Sequence, residues 1–466
     1  MKRSKRLMIL LGVLVIACVA TFVLSRYEEH QEQIQNSDEV VLELDSDAVQ
    51  SLSWEYESRT LAFHKEENGW VYDEDAEFPV DEDKIKEMLS RFEEFGVSFI
   101  IENAEDLGQY GLDDPLCTIT IATEEETYTI QLGDYSQMDE ERYVSIGDGN
   151  VYLVQNDPLD DFDAVLSEII DNDETPSVEQ ADSITFSGAA EYEITYEEDS
   201  DASYCADDVY FTQQDGETLP LDTSRVESYL QAIDDLDLSN YMTYKATEKD
   251  LQTYGLDDPE LTVQLDYTEE DDDGNQTQNS FVLHISRGPG QREKVQEGDT
   301  DEDEEIIAYA RVGESPILYK ITQEEYYALI AATYNDLRHQ EVLSADFNDI
   351  NQIDITLEGE TYTITTDGDV DDRTYAYEDE EIDITSFRDA LTALRANSFT
   401  VEQPDQKEEI SLTVHLDNEN HPSVSIALYR YDGDNCLAMV DGKPVSLVGR
   451  SYVVDLIEAV NAIVFN

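Results

Sequence analysis

From Leu52 onward, apolar and polar positions alternate through LSWEYES and TLAFHK, break at Asn68 and Gly69, and resume in WVY from Trp70. A period of two belongs to strands with one buried face, so the stretch predicts an opening β-meander. The period then changes: Ile85, Met88, Leu89 and Phe92 fall on one helical face, and Asp81 stands where a side chain can cap the first turn.

The same pattern returns twice. PVDEDKIKEML from Pro79, PLDTSRVESYL from Pro220 and EIDITSFRDAL from Glu381 superpose with Asp81, Asp222 and Asp383 as caps. Ile85, Val226 and Phe387 then coincide, and one turn later Leu89, Leu230 and Leu391. Alternating strands follow in PLCTITI, PELTVQL and ISLTVHL. Each is succeeded by a hairpin (YVSIGDGNVYLV, YARVGESPILYKI, LAMVDGKPVSLV) and a helical segment (DFDAVLSEII, QEEYYALIAATY, RSYVVDLIEAV). A cap, an apolar stripe and a strand series written three times constitute an internal repeat. The expected class is α+β: three repeats of a mainly antiparallel sheet unit with two helices each, at residues 39–175, 176–343 and 344–466.

YGLDDP occurs at residues 110–115 and again at 254–259. From cap to aligned strand residue the spacing is 36 residues in the first repeat (Asp81 to Cys117), 39 in the second (Asp222 to Leu261) and 29 in the third (Asp383 to Leu412). The motif is therefore a connector trimmed from the third copy. Its letters suit a rigid corner, with Gly111 and Gly255 free to take positive φ, Leu112 and Leu256 as anchors, and prolines opening the next strand. The functional alternative is a paired recognition loop using Tyr110, Asp113, Tyr254 and Asp257.

The one long unbroken apolar run is at the beginning. Residues 7–24 carry no charge, and Lys2, Arg3, Lys5 and Arg6 precede them. As a helix the run spans roughly 27 Å, which predicts a single-pass anchor with a cytoplasmic basic tail at 1–6, a polar linker at 25–38 and the bulk of the chain extracytoplasmic at the cell membrane. A lipoprotein acylated on Cys18 and a cleaved secretory signal are the rival readings.

Charge narrows the function classes. The chain has 110 Asp and Glu against 27 Lys and Arg. Nucleic acid needs a basic footprint, so it is not an expected partner. Cys117, Cys205 and Cys436 make an odd number outside the first segment, which argues against a disulfide framework. The six histidines show no zinc-type spacing, and neither P-loop, GxGxxG nor GxSxG is present. DGDVDDRTYAYE places Asp367, Asp369, Asp371 and Glu378 at EF-hand positions, but Asp372 stands where the turn wants Gly; calcium is a weak candidate and no other cofactor is expected. EEDDDGNQTQNS and GPGQREKVQEGDTDEDEE read as disordered polar loops.

NGW at residues 68–70, the helix capped by Asp81, YGLDDP followed by TITI, then QLGDYSQ and YVSIGDGNVYLV together resemble the bacterial domain-of-unknown-function 4340 proteins. The resemblance is clearest over about 39–170, returns in the second repeat and is faint in the third. It implies an extracytoplasmic, single-pass protein associated with an ABC-type export system of the gliding-motility kind, and no catalytic residues. The expected function is a non-enzymatic accessory or scaffold of a membrane complex, such as an ABC transporter permease. The alternatives are a cell-envelope protein binding glycans or divalent cations, and a hydrolase whose carboxylates the sequence does not single out.

Overall fold

A computed structural model of the chain describes residues 39–198, 200–270, 274–297, 305–368 and 373–465. Strand accounts for 42% and helix for 21%, in four antiparallel sheets. This corrects the expected class twice: the architecture is mostly β rather than α+β, and there are four sheets rather than three. The segments read as closing helices explain the first correction. DFDAVLSEII forms only the helix Leu159–Phe162 and a 3-10 turn at Leu166–Glu168, and QEEYYALIAATY is helical only over Gln323–Ile330 before Ala331 leaves helical geometry. The extra sheet pairs Glu39–Leu42 with Phe95–Val97.

The second and third large sheets share one order of nine strands, and the first follows it with eight, lacking the outermost meander strand. In the first it runs Gly69–Tyr72, Arg59–Glu66, Val49–Tyr56, Cys117–Thr123, Thr127–Ser136, Glu141–Ser145, Val151–Val154, Phe99–Ile101. In the second it runs Glu217–Pro220, Tyr210–Gln214, Tyr192–Tyr196, Ser183–Gly188, Leu261–Glu270, Gln276–Arg287, Ala308–Val312, Leu318–Ile321, Tyr241–Thr243. The third repeats the second from Glu380–Ile382 at one edge to Ala396–Phe399 at the other. In every copy the opening meander and the later strands meet at one central pairing, as in Trp54 with Ile119 and Ile355 with Leu412.

Each sheet buries one face under the helix that the cap begins. Asp81 Oδ1 accepts the Lys84 N–H at 2.9 Å, and the helix Glu82–Ser90 buries Ile85, Met88 and Leu89. Asp222 does the same through Ser224 for the helix Thr223–Asp234. In the third copy the cap slips by one residue: Ile384 precedes the helix Thr385–Thr392, though Asp383 still accepts the Thr385 N–H at 2.9 Å. Phe387 and Leu391 pack with Val453, Leu456 and Val460 of the helix Arg450–Val464 in one apolar core. At about 1.5–3 kcal/mol per fully buried large side chain, these stripes hold each sheet to its helices.

By contacts the described chain divides into two units. Unit 1 runs to Asp173 and takes in Ser239–Lys245; unit 2 comprises Glu174–Leu238 and Ala246 onward.

Two further expectations are corrected. The single-pass, N-terminally anchored cell-membrane placement lacks support, because no helix among the described residues is long and apolar enough to cross a membrane. The helix Arg450–Val464 has 15 residues, about 22 Å of rise against a hydrocarbon core of roughly 30 Å. Residues 7–24, which carried the anchor and bilayer expectation, lie outside the described residues, as do 1–6, Cys18 and 25–38. The second correction concerns GPGQREKVQE, which is not a loop but the helix Pro289–Glu297, with proline at the first position where its missing N–H costs nothing.

Candidate functional site

The groups with the most chemistry come together in unit 2, from stretches far apart in sequence. The loop after Tyr192–Tyr196 supplies Ser203, Cys205 and Asp208. The start of the helix Thr223–Asp234 supplies Asp222. The extended segment after the short helix Tyr334–Leu337 supplies Arg338, His339 and Glu341. That segment is held extended by a bridge between Glu341 and Arg395 and by the Val342 N–H donating to Leu394 O at 2.9 Å.

His339 is the hub. Its Nε2 lies 2.8 Å from Asp208 Oδ1 and its Nδ1 3.8 Å from Asp222 Oδ2. The Asp208 side chain is only 2% exposed. Burial pushes the imidazole pKa down, but the Asp208 hydrogen bond and the nearby carboxylates outweigh it, so the net direction is up. Ser203 Oγ donates to Asp208 Oδ2 at 2.6 Å and accepts the Cys205 N–H at 3.0 Å. Burial, then Asp208, pushes the Cys205 thiol up to about 12. The residues able to hold a metal are two overlapping sets, Cys205, Asp208 and His339, and Asp222, His339 and Glu341.

Beside this hub is a hollow of about 350 Å³ lined by Ser203, Tyr204, Tyr334, Arg338, His339, His421 and Lys443 among others. Its acids are mostly spoken for. Glu217 pairs with Lys443 at 2.6 Å, Glu341 with Arg395, and Asp441 Oδ1 accepts the Ser425 N–H at 2.8 Å. The Arg338 guanidinium lies between two rings, 4.9 Å from the centre of Tyr334 and 4.5 Å from that of Phe399. It makes no hydrogen bond or ion pair with a described residue.

The residues singled out from sequence are placed elsewhere. Tyr110 ends a 3-10 turn and packs on Tyr143 with ring centres 4.9 Å apart; Tyr254 ends the helix Glu248–Tyr254 and packs on Tyr309 at 4.6 Å. Asp113 and Asp257 are exposed. The corner is thus a seated structural element in both copies, with only its acids facing solvent. Of the calcium candidates, Asp367 ends the strand Glu360–Asp367 and Glu378 sits in a turn at φ 52°, while Asp369 and Asp371 lie outside the described residues.

Sequence reasoning passed over Cys205, Asp208 and His339. His339 and Asp208 are 131 residues apart. A search for ligand spacing finds only donors carried on one element. The signal available was weak, a cysteine three residues before an aspartate in SYCADD.

The model of the family described as Domain of unknown function (DUF4340) matches residues 70–204 and 212–413. Residues 205–211, between the two matches, include Cys205 and Asp208. No curated protein and no solved structure matches the chain. The family match spans well over half of the 466 residues, and on that ground the chain belongs to the DUF4340 family.

Proposed function

We propose that the chain is a non-enzymatic binding module, an accessory component rather than a catalyst, whose working surface is the unit 2 hollow around Arg338. The observation that carries this reading is the guanidinium between Tyr334 and Phe399, which has no hydrogen-bond or ion-pair partner among the described residues. In a chain with 110 acids and 27 bases, an arginine readily finds a carboxylate. Here the neighbouring acids are engaged by other groups, and two aromatic faces hold the planar fork with no described residue on its N–H edge. Such a fork recognises a carboxylate or phosphate bidentately.

The hydrogen bonds of the potential nucleophiles favour binding over catalysis. Ser203 donates to a carboxylate rather than to an imidazole, and the Cys205 thiol is shifted away from ionisation, the reverse of an activated cysteine. The accessory role then implies a partner or small ligand presenting an oxyanion to Arg338.

The test is a melting-temperature series with citrate, inorganic phosphate and a glutamate-rich peptide at fixed ionic strength. The reading expects a rise with at least one of them that disappears in Arg338→Gln and survives in Arg430→Gln, an exposed control. No rise with any, or a rise indifferent to Arg338→Gln, defeats it.

A further inference from the structure

We propose that Cys205 Sγ, Asp208 Oδ1 and His339 Nε2 form a binding site for a borderline transition-metal dication, zinc(II) in the first instance. The donor atoms of these three residues all lie within 4.8 Å of one another. Zinc bonds of about 2.0–2.3 Å in a tetrahedron set donors roughly 3.3–3.8 Å apart, so small rotamer adjustments bring the three to coordinating distance.

The surroundings hold these donors as ligands are held. One hydroxyl ties two of them: Ser203 Oγ donates to Asp208 Oδ2 at 2.6 Å and accepts the Cys205 N–H at 3.0 Å, which leaves Oδ1 turned to His339. Behind the imidazole, Asp222 Oδ2 lies 3.8 Å from Nδ1. A hydroxyl on the ligating carboxylate is an outer partner of the kind that orients metal ligands, and Asp222 near the far ring nitrogen adds negative charge. Glu341 and Asp208 add to the negative charge that a dication offsets.

The second donor set shares His339 but is less free. Asp222 already caps a helix through the Ser224 N–H at 3.1 Å and lies 3.5 Å from Arg225, and Glu341 is paired with Arg395. The first set offers sulfur and nitrogen beside one oxygen, a combination that suits zinc and not calcium or magnesium. Binding replaces the thiol proton of Cys205, and any second proton on the imidazole, with the metal; those protons leave to solvent. Three protein donors leave a fourth position for water or for a donor from a ligand in the hollow that His339 lines. Cys205 and Asp208 fall between the two stretches matched to the family, and His339 falls within the second.

Cobalt(II) titration of the full chain, stripped with a chelator, tests the site. The expected result is one equivalent bound with a thiolate-to-cobalt charge-transfer band and strong tetrahedral visible bands, displaced by zinc and not by excess calcium. Cys205→Ala and His339→Gln abolish the band, whereas Cys117→Ala and Cys436→Ala, which change the other two free cysteines of the described chain, retain it. Ser203→Ala, which removes no ligand, weakens cobalt binding about 10-fold. Each variant's metal-free circular dichroism melt is compared with wild type, so that loss of fold is separated from loss of site. A wild type without the thiolate band, a band that persists in Cys205→Ala, or cobalt displaced equally by calcium overturns the proposal.

Discussion

The two YGLDDP corners have one backbone and two different fastenings. Gly111 and Gly255 both adopt left-handed geometry, at φ 70° and 76°, and the Leu112 and Leu256 N–H groups reach back to Leu107 O and Leu251 O at 3.0 and 2.9 Å. Leu112 and Leu256 are buried, and each tyrosine packs on the tyrosine that opens the following hairpin. The sheet beneath differs. In the first copy Gly133 passes so close that a Cβ there would stand 2.2 Å from Tyr110 O. In the second that position is Ser286, and the next residue is Arg287, paired with Glu260 at 2.6 Å and donating its own N–H to Glu260 Oε2 at 2.7 Å. By strand register the first copy has Asp134 and the exposed Leu116 there instead. Its arginine comes from another strand: Arg142 donates to Gly133 O at 2.7 Å and pairs with Asp157. The motif specifies a corner, and each sheet secures that corner with its own residues.

Arg287→Ala should have the largest effect. Removing it leaves Glu260, whose side chain is 13% exposed, without its counter-charge. The expected loss is about 3 kcal/mol in urea unfolding followed by circular dichroism. Asp134→Ala, the matching change in the first copy, should stay within about 0.5 kcal/mol, and equal losses at the two positions would erase the contrast. The Arg287 effect should also fade in acid. Burial pushes the Glu260 carboxyl up, but the Arg287 hydrogen bonds and charge outweigh it, so the net shift from 4.5 is downward. A depressed carboxyl contributes stability that is fully present above its ordinary 4.5 and is lost as pH falls through the lower folded value, so the difference between wild type and Arg287→Ala should shrink as pH falls below 4.5.

Next in size is Gly133→Ala, with about 2 kcal/mol lost and the change visible in fluorescence, since a Cβ must displace the Tyr110 backbone. Gly111→Ala and Gly255→Ala should each cost about 2 kcal/mol and match one another, because both copies require left-handed geometry and in both a Cβ would meet backbone, Asp134 N at 2.8 Å in the first and Arg287 O at 2.9 Å in the second. A large inequality would show that the corners are not one element. The smallest effect belongs to Asp75 in unit 1. Hydrogen bonds from Lys245 and then Tyr244 hold its carboxyl at about 2, below the ordinary 3.8. Its contribution is present above pH about 4 and disappears toward pH 2, so Asp75→Asn should shift the fluorescence midpoint slightly at neutral pH and not at pH 2.

Much of the fold was legible because it rests on local chemistry. Aspartate caps at Asp81 and Asp222, positive-φ turns at Gly69 and at Asp441 with Gly442, and period-two strands are written within a few residues of where they act. The misreadings came where local pattern is weak evidence. The stripes in DFDAVLSEII and QEEYYALIAATY look helical, yet each helix ends after one or two turns. The polar GPGQREKVQE looks like loop, yet Gly288 O accepts the Gln291 and Arg292 N–H groups and starts a helix. For the candidate site, a lone cysteine and a lone histidine gave no reason to be joined.

By itself, then, the sequence determined the capped helices and the turn geometry of the corner, because each depends on residues whose backbone preferences and hydrogen-bonding partners are near neighbours. The tertiary structure alone decided that strand outweighs helix, which residues fasten each corner, and that Cys205, Asp208 and His339 converge beside an arginine held between two rings. Those outcomes depend on packing between segments more than a hundred residues apart. Periodicity records which face of an element is buried, and it carries no information about what that face meets.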